Sequence, residues 1–166
     1  MKLLSEAIQE RNEELAKLYE EKEAGREVEL QYIPTGLPSL DGMGLLEKGI
    51  LTIVGGDPGV GKTAWAIQFL KAASEEGYNP IGFFYEDPIK FISDRITSAA
   101  IGESAYKLRR IQLPDDNISA RLRTVHKCLD WTTHVLFDDV LEDTGKLLEQ
   151  LEKRVNEATG LVVIDY

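Results

Sequence analysis

A glycine-rich segment between an apolar run and a helical pattern constrains the fold more than any other part of this chain. The segment Gly56–Thr63 reads Gly-Asp-Pro-Gly-Val-Gly-Lys-Thr and fits the pattern G-x-x-x-x-G-K-[ST] at every fixed position. It directly follows the apolar run Ile50–Val54 and directly precedes a helical pattern from Lys62 to about Glu76. A glycine-rich turn that joins a buried strand to a helix is typical of α/β proteins that bind phosphate groups.

Each residue type in this segment has a chemical reason. Glycines let successive backbone N–H groups and the positive end of the helix dipole face one anion. The ammonium of Lys62 suits the β- and γ-phosphates of a nucleotide, and the hydroxyl of Thr63 is a hard oxygen ligand for Mg²⁺. We therefore predict that ATP and Mg²⁺ bind here; the alternative is a glycine-rich turn with an exposed lysine. The predicted nucleotide-binding residues are Gly56, Asp57, Pro58, Gly59, Val60, Gly61, Lys62 and Thr63.

Further apolar runs of strand length alternate with helical patterns along the rest of the chain. They lie at 81–85, 135–137 and 161–164, and one helix is expected from about Asp143 or Thr144 to Thr159. The stretch 103–133 is predicted to be helical in two pieces around 114–117. Alternating strands and helices predict a mainly parallel sheet with right-handed crossovers.

Acidic residues follow two of these strands. Asp165 ends the last one, where a phosphate-loop enzyme places a carboxylate to hold the Mg²⁺ hydration shell, although a strand-ending Asp can also simply face solvent. Glu86 ends the strand 81–85 and is our candidate for the base that orients or deprotonates a water. Asp87 competes with it, but it precedes Pro88 and is better explained as a helix cap.

Composition and the amino-terminal segment narrow the function classes. The formal charge of −10 argues against a chain that coats nucleic acid or an anionic membrane with its whole surface. The single cysteine, Cys128, cannot form an internal disulfide, so a reducing, cytoplasmic compartment is the default. No signal peptide or apolar run of membrane-spanning length occurs.

Residues 1–24 form one predicted amphipathic helix, with Leu4, Ile8, Leu15 and Leu18 on one stripe. Such a stripe needs a partner surface, either on its own domain or on another molecule. Residues 25–40, with a broken pattern and several Pro and Gly, are interpreted as a linker, and residues 41–166 as the catalytic domain.

Taken together, these motifs resemble the RecA-like ATPase domain of DnaB-type replicative DNA helicases. The resemblance extends from about Leu15 to Tyr166. The strings that carry it are Ile33-Pro34-Thr35-Gly36 with Leu40-Asp41, then Lys62-Thr63-Ala64, Phe83-Phe84-Tyr85-Glu86, Arg95, and Val163-Ile164-Asp165-Tyr166.

The resemblance implies an ATP-dependent motor domain of a hexameric helicase that acts on single-stranded DNA in a bacterial or phage-infected cell. In this family Lys62 and Glu86 would be catalytic, and Thr63 and Asp165 would serve the metal. The helix at 2–24 would dock on a neighbouring subunit. The family's next strand, DNA-contacting loops and arginine finger would follow Tyr166, so we expect a sheet that is incomplete at its C-terminal side and a fragment that is inactive alone.

Two other function classes remain open at this stage. One is a RecA-like ATPase of the RecA, RadA or clock type that regulates assembly without helicase activity. The other is a small P-loop kinase, in which the basic residues between 103 and 127 would form an acceptor-binding patch. A solvated helical surface is the simpler interpretation of those residues, because acidic residues are interspersed among them.

Overall fold

The computed structural model describes residues 3–26, 32–113, 117–125, 129–134, 136–138 and 144–166. The chain divides into two compact units, 1–31 and 32–166. The basic residue Lys127, Cys128, Asp143 and most of the predicted turn at 114–117 lie outside the described residues.

The first unit contains a single helix, α1, which spans Leu4–Glu23. Glu6 accepts a hydrogen bond from the N–H of Leu3 at 3.0 Å, which satisfies one of the donors that a helix start leaves unpaired. Ion pairs such as Arg11 to Glu14, at 2.7 Å, lie along its surface. None of its residues is buried, and Leu4 and Ile8 are 76% and 51% exposed, so the apolar stripe expected from the sequence stands uncovered in this unit.

The second unit alternates helices with short strands. A small antiparallel pair joins β1 (Tyr32–Ile33) to β2 (Leu46–Glu47), with the short helix α2 (Pro38–Asp41) between them. The remaining elements are α3 (Lys62–Glu75), β3 (Pro80–Phe84), α4 (Ile89–Ile101), α5 (Ala105–Arg109), α6 (Ile118–Thr124), a 3₁₀ helix (Asp130–His134), β4 (Leu136–Asp138), α7 (Thr144–Arg154) and β5 (Leu161–Asp165).

Three parallel strands form the main sheet in the order β4-β3-β5. The register pairs Ile81 with Leu136 on one side of β3, and Phe84 with Asp165 on the other. Every residue of β3 is buried, as expected for the central strand of a parallel sheet. This register brings the carboxyl ends of β3 and β5 to the same edge.

Helix α3 packs against this sheet through two apolar clusters. One joins Leu70 of α3 to Phe84 of β3 and to Ile92 and Trp131, and the other joins Phe69 and Ala73 of α3 to the β1–β2 pair. Gly82 makes the close approach possible, because a Cβ at this position would lie 2.8 Å from Leu70 Cδ1 and 2.7 Å from Phe84 Cε2.

The structure corrects the prediction of a strand at Ile50–Val54. Residues 50–57 have no regular secondary structure, and Leu51 and Ile53 are 85% and 83% exposed. Within the described residues β5 has one strand neighbour, β3, so nothing pairs with the backbone of this segment. An apolar run becomes a strand only when a neighbour satisfies its backbone groups and covers its side chains.

The last helix is also shorter than predicted: α7 ends at Arg154 instead of Thr159. Beyond it the side chain of Asn156 accepts a hydrogen bond from the N–H of Ala158 at 2.9 Å, and Thr159 Oγ1 accepts one from the N–H of Asn156 at 3.1 Å. These local side-chain bonds compete with the helix for the backbone donors and stop it early.

A buried threonine ties the start of the second unit together. Thr35 is completely buried, and both its N–H and its hydroxyl donate to Asp41 Oδ1 at 2.6 Å. Gln68 of α3 donates to the Thr35 carbonyl at 3.4 Å. These residues lie in or beside the stretch predicted as a linker, and from Tyr32 onward they are part of the compact second unit.

Candidate nucleotide-binding site

The glycine-rich segment has the backbone geometry of a tight turn into a helix. Gly59 and Gly61 have φ angles of +82° and +101°, a region that glycine occupies without strain. Gly61 is the N-cap of α3, so the helix begins at Lys62. The first N–H groups of a helix have no intrahelical acceptor and carry the positive end of its dipole. The turn therefore presents backbone donors suited to an anion.

Lys62 is folded back over this turn. Its ammonium donates to the carbonyls of Gly56 at 2.9 Å and Asp57 at 3.1 Å. This places a positive charge beside the same loop that presents the helix N–H groups, and a phosphate that enters would exchange these two carbonyl acceptors for its own oxygens. Gly56 to Val60 are exposed, whereas Lys62 and Thr63 are half-buried.

The two predicted carboxylates belong to the same edge of the main sheet. Asp165 is the last residue of β5, and Glu86 follows β3 by two residues. The N–H of Tyr85 donates to the carbonyl of Asp165 at 3.0 Å, which extends the ladder past the end of β3. Glu86 is exposed, whereas only 7% of Asp165 is exposed.

Asp165 carries a buried carboxylate oxygen that fits a cation. In the described part of the chain, its Oδ2 atom is buried and has no hydrogen-bond partner. An unsatisfied buried carboxylate oxygen is costly unless a ligand binds it. No group of three or more His, Cys, Asp or Glu residues suited to a metal occurs among the described residues. A lone carboxylate with a hydroxyl fits Mg²⁺, which keeps several waters and binds mainly through substrate phosphates.

The structure brings Glu86 and Asp165 to one sheet edge but leaves the loop residues apart from them in its hydrogen bonding. In the ranges that the structure describes, no hydrogen bond or ion pair joins Lys62 or Thr63 to either carboxylate. The cause lies in the preceding segment, Ile50–Val54, which is not part of the sheet and does not fix the loop beside β5.

Asp87 does not cap α4, contrary to the prediction from the sequence. The N-cap is Pro88, without a side-chain cap bond, and Asp87 instead binds Arg95 of α4, with Arg95 Nη2 and Asp87 Oδ2 2.6 Å apart. The sequence points to Arg95 only through the family resemblance, because the eight-residue spacing of Asp87 and Arg95 gives no local signal.

Several basic residues between 103 and 127 are engaged within the domain. Arg109 binds Asp94 at 3.3 Å, and Arg121 binds Glu103 at 3.5 Å. The guanidinium of Arg110 lies 4.5 Å from the ring centre of Tyr106. These contacts agree with the interpretation of a solvated helical surface.

Comparison with known proteins identifies the family. The model of the DnaB-like helicase C-terminal domain matches residues 32–166, which is most of the chain. The chain belongs to this family. No protein of curated function matches the chain.

A solved structure shows the same fold. The chain is similar to the solved ATPase domain of a DnaB-like helicase, with a TM-score of 0.70 and 21% sequence identity. The match covers 93% of this chain and 56% of the other, so the chain spans just over half of that structure's length. The similarity confirms the predicted RecA-like α/β fold with its parallel sheet. The family match favours the helicase hypothesis over a RecA-like regulator.

Proposed function

We propose that this chain is the ATP-binding motor domain of a replicative DNA helicase, which couples hydrolysis to unwinding during DNA replication. The observation that carries the proposal is the turn Gly56–Thr63 at the start of α3, in a chain of the DnaB-like helicase C-terminal family. Positive φ at Gly59 and Gly61, the helix start and the Lys62 ammonium support phosphate binding at this turn.

In this proposal each site residue has one task. The residues Gly56 to Gly61 hold the phosphates through backbone N–H groups, and Lys62 neutralises the β- and γ-phosphates. Thr63 and Asp165 hold Mg²⁺, whose chemistry is to neutralise charge on the transferred phosphoryl group. Glu86, exposed at the end of β3, orients or deprotonates the attacking water.

The partners follow from the family and stay proposals of ours. We propose a homo-oligomer, a hexamer, that acts on single-stranded DNA in the cytoplasm. Every helix in the described residues is too short or too polar to cross a membrane. The uncovered apolar stripe of α1, with Leu4 and Ile8 exposed, supports a contact between subunits.

We also expect slow nucleotide turnover from the isolated 166-residue chain. The segment Ile50–Val54, directly before the phosphate loop, has no strand neighbour among the described residues and is largely exposed. A loop whose preceding strand is not fixed loses the preorganisation that phosphoryl transfer needs.

The substitution Lys62→Ala tests nucleotide binding. It removes a charge-assisted contact worth about 1.5–3 kcal/mol, which corresponds to roughly ten- to a hundredfold in affinity. The matched control is Lys71→Ala on the same helix, where the lysine binds Glu75 on the helix surface. Calorimetry with Mg²⁺-ATP should show the loss for Lys62→Ala alone; equal affinities in both variants would contradict the assignment.

The substitution Glu86→Gln tests hydrolysis separately from binding. A water-orienting base acts on the transition state and contributes about a hundredfold or more, so turnover should fall while ATP affinity is kept. The measurement is ATP hydrolysis by the helicase assembly with single-stranded DNA. Loss of binding together with normal turnover of the bound nucleotide would place the base elsewhere.

A further inference from the structure

The turn between β3 and α4 is held at both of its ends by contacts outside the turn. At its start the N–H of Tyr85 donates to the carbonyl of Asp165 in β5 at 3.0 Å. At its end the carboxylate of Asp87 binds the guanidinium of Arg95 at 2.6 Å. Glu86 is the single residue between these two fixed points.

Arg95 reaches this turn from the second helical turn of α4. Side chains on a helix point toward its N-terminus, so the guanidinium extends back over the start of α4 to Asp87. The Arg95 Nε atom is buried and, among the described residues, has no hydrogen-bond partner. Asp87 is therefore the group that fixes the guanidinium, and the guanidinium in turn fixes Asp87.

The pair also settles an electrostatic conflict. Glu86 and Asp87 are adjacent acidic residues, and α4 begins without a side-chain cap that would absorb the charge of Asp87. The Asp87 side chain is 22% exposed, so solvent screens its charge only partly. Arg95 neutralises it and leaves Glu86 as the uncompensated carboxylate of the turn.

We propose that Arg95 is a positioning residue: through its ion pair with Asp87 it holds the turn that carries Glu86 in one orientation at the sheet edge. The proposal rests on the proposed role of Glu86 in hydrolysis and adds to it the element that orients this carboxylate. A displacement of about 1 Å in such a group costs up to roughly a hundredfold in rate. Arg95 itself has no hydrogen bond or ion pair to the phosphate loop or Asp165 in the part of the chain that the structure describes.

The chain supplies a matched control on the same helix. Arg109 binds Asp94 of α4 with side-chain exposures of 36% and 22%, against 40% and 22% for Arg95 and Asp87. Arg109→Met therefore removes an ion pair of similar exposure from α4 without touching the turn of Glu86. Arg95→Met is the test variant, Arg95→Lys the conservative variant that keeps a positive charge, and Asp87→Asn removes the same pair from its other side.

Two measurements decide the proposal. In ATP hydrolysis by the helicase assembly, Arg95→Met and Asp87→Asn should lower kcat about tenfold with KM for ATP within about twofold, and Arg95→Lys should restore part of the loss. Hydrogen exchange should accelerate at the amides of 85–87 in these two variants and stay unchanged there in Arg109→Met.

The outcomes separate this proposal from the proposed function. If Glu86→Gln abolishes hydrolysis while Arg95→Met behaves like Arg109→Met in kcat and in exchange, the positioning role of Arg95 is wrong and the role of Glu86 stands. If Glu86→Gln leaves hydrolysis intact, the role of Glu86 itself fails. A fall in kcat for Asp87→Asn that matches the fall for Arg95→Met, with the exchange change confined to 85–87, supports the pair as the cause.

Discussion

Two isoleucines in this chain have opposite surroundings, and the same substitution at each tests the most unexpected feature of the fold. Ile53 lies in the apolar run before the phosphate loop and is 83% exposed, whereas Ile81 lies in β3 and is 2% exposed. The sequence predicts that both are strand residues inside the sheet. The structure places only Ile81 there. We therefore expect Ile53→Ala and Ile81→Ala to differ sharply in their effect on stability.

The magnitudes follow from burial. Replacing a buried isoleucine by alanine costs about 2–5 kcal/mol, the lost transfer free energy plus the cavity left behind. Ile53 has less than a fifth of its surface removed from water, and full burial of such a side chain is worth about 1.5–3 kcal/mol, so its loss costs below about 0.5 kcal/mol. In a domain of this size 1 kcal/mol shifts the unfolding midpoint by about 2–4 °C.

Thermal unfolding followed by circular dichroism provides the assay. Ile81→Ala should lower the unfolding midpoint of the isolated chain by about 4–20 °C, and Ile53→Ala by less than about 2 °C. A drop for Ile53→Ala as large as that for Ile81→Ala would mean that the segment Ile50–Val54 is packed in the sheet and would refute the reasoning from exposure. An unchanged midpoint for Ile81→Ala would refute the placement of the core.

Three further predictions concern other parts of the chain. The hydrogen bond from the Thr35 hydroxyl is the largest cause that holds the pKa of Asp41 below its usual value, so the stability it contributes is present above about pH 4 and lost as the pH falls through the lowered value; Asp41→Asn should flatten the dependence of the unfolding midpoint on pH in that acid range. Ile111 has a φ of +56° and is 94% exposed, so Ile111→Gly should relieve backbone strain and stabilise the chain by about 1 kcal/mol in denaturant titration, whereas Gly102→Ala at φ +70° should destabilise it. Deletion of residues 1–24 should lower the assembly state seen by light scattering, and identical oligomers with and without them would favour packing of α1 on its own domain.

The elements that the sequence predicts well have local signals at both ends. Helix α3 is expected from Lys62 to Glu76 and spans Lys62–Glu75, because the glycine-rich turn starts it and Gly77 follows it. The strands β3 and β5 are likewise expected within a residue of their observed bounds, since each is an apolar run followed by polar residues. Such features depend on neighbours in sequence, which a pattern contains.

The errors concern features that depend on neighbours in space. The apolarity of Ile50–Val54 is typical of a buried strand, but strand formation requires a hydrogen-bonded neighbour that no sequence window contains. The predicted role of Asp87 is wrong for the same reason, because its partner Arg95 lies two helical turns away and competes with capping. Among the site residues, the pairing of β3 with β5 brings Glu86 and Asp165 to one edge as expected, whereas the nucleotide-binding and catalytic roles of these residues stay predictions.

The sheet edge connects these observations. In the described residues β5 has β3 on one side only, and the uncovered apolar segment Ile50–Val54 leads directly into the phosphate loop. A further parallel strand beside β5 would supply backbone partners for that segment, cover Leu51 and Ile53, and fix the loop relative to Asp165. In any state of the protein where this happens, Ile53→Ala changes from a nearly neutral substitution to a costly one of about 2–5 kcal/mol, and nucleotide affinity rises with it because the loop is preorganised. The stability cost of Ile53→Ala, measured in the isolated chain and again in the helicase assembly, therefore reports whether the phosphate loop has joined the sheet.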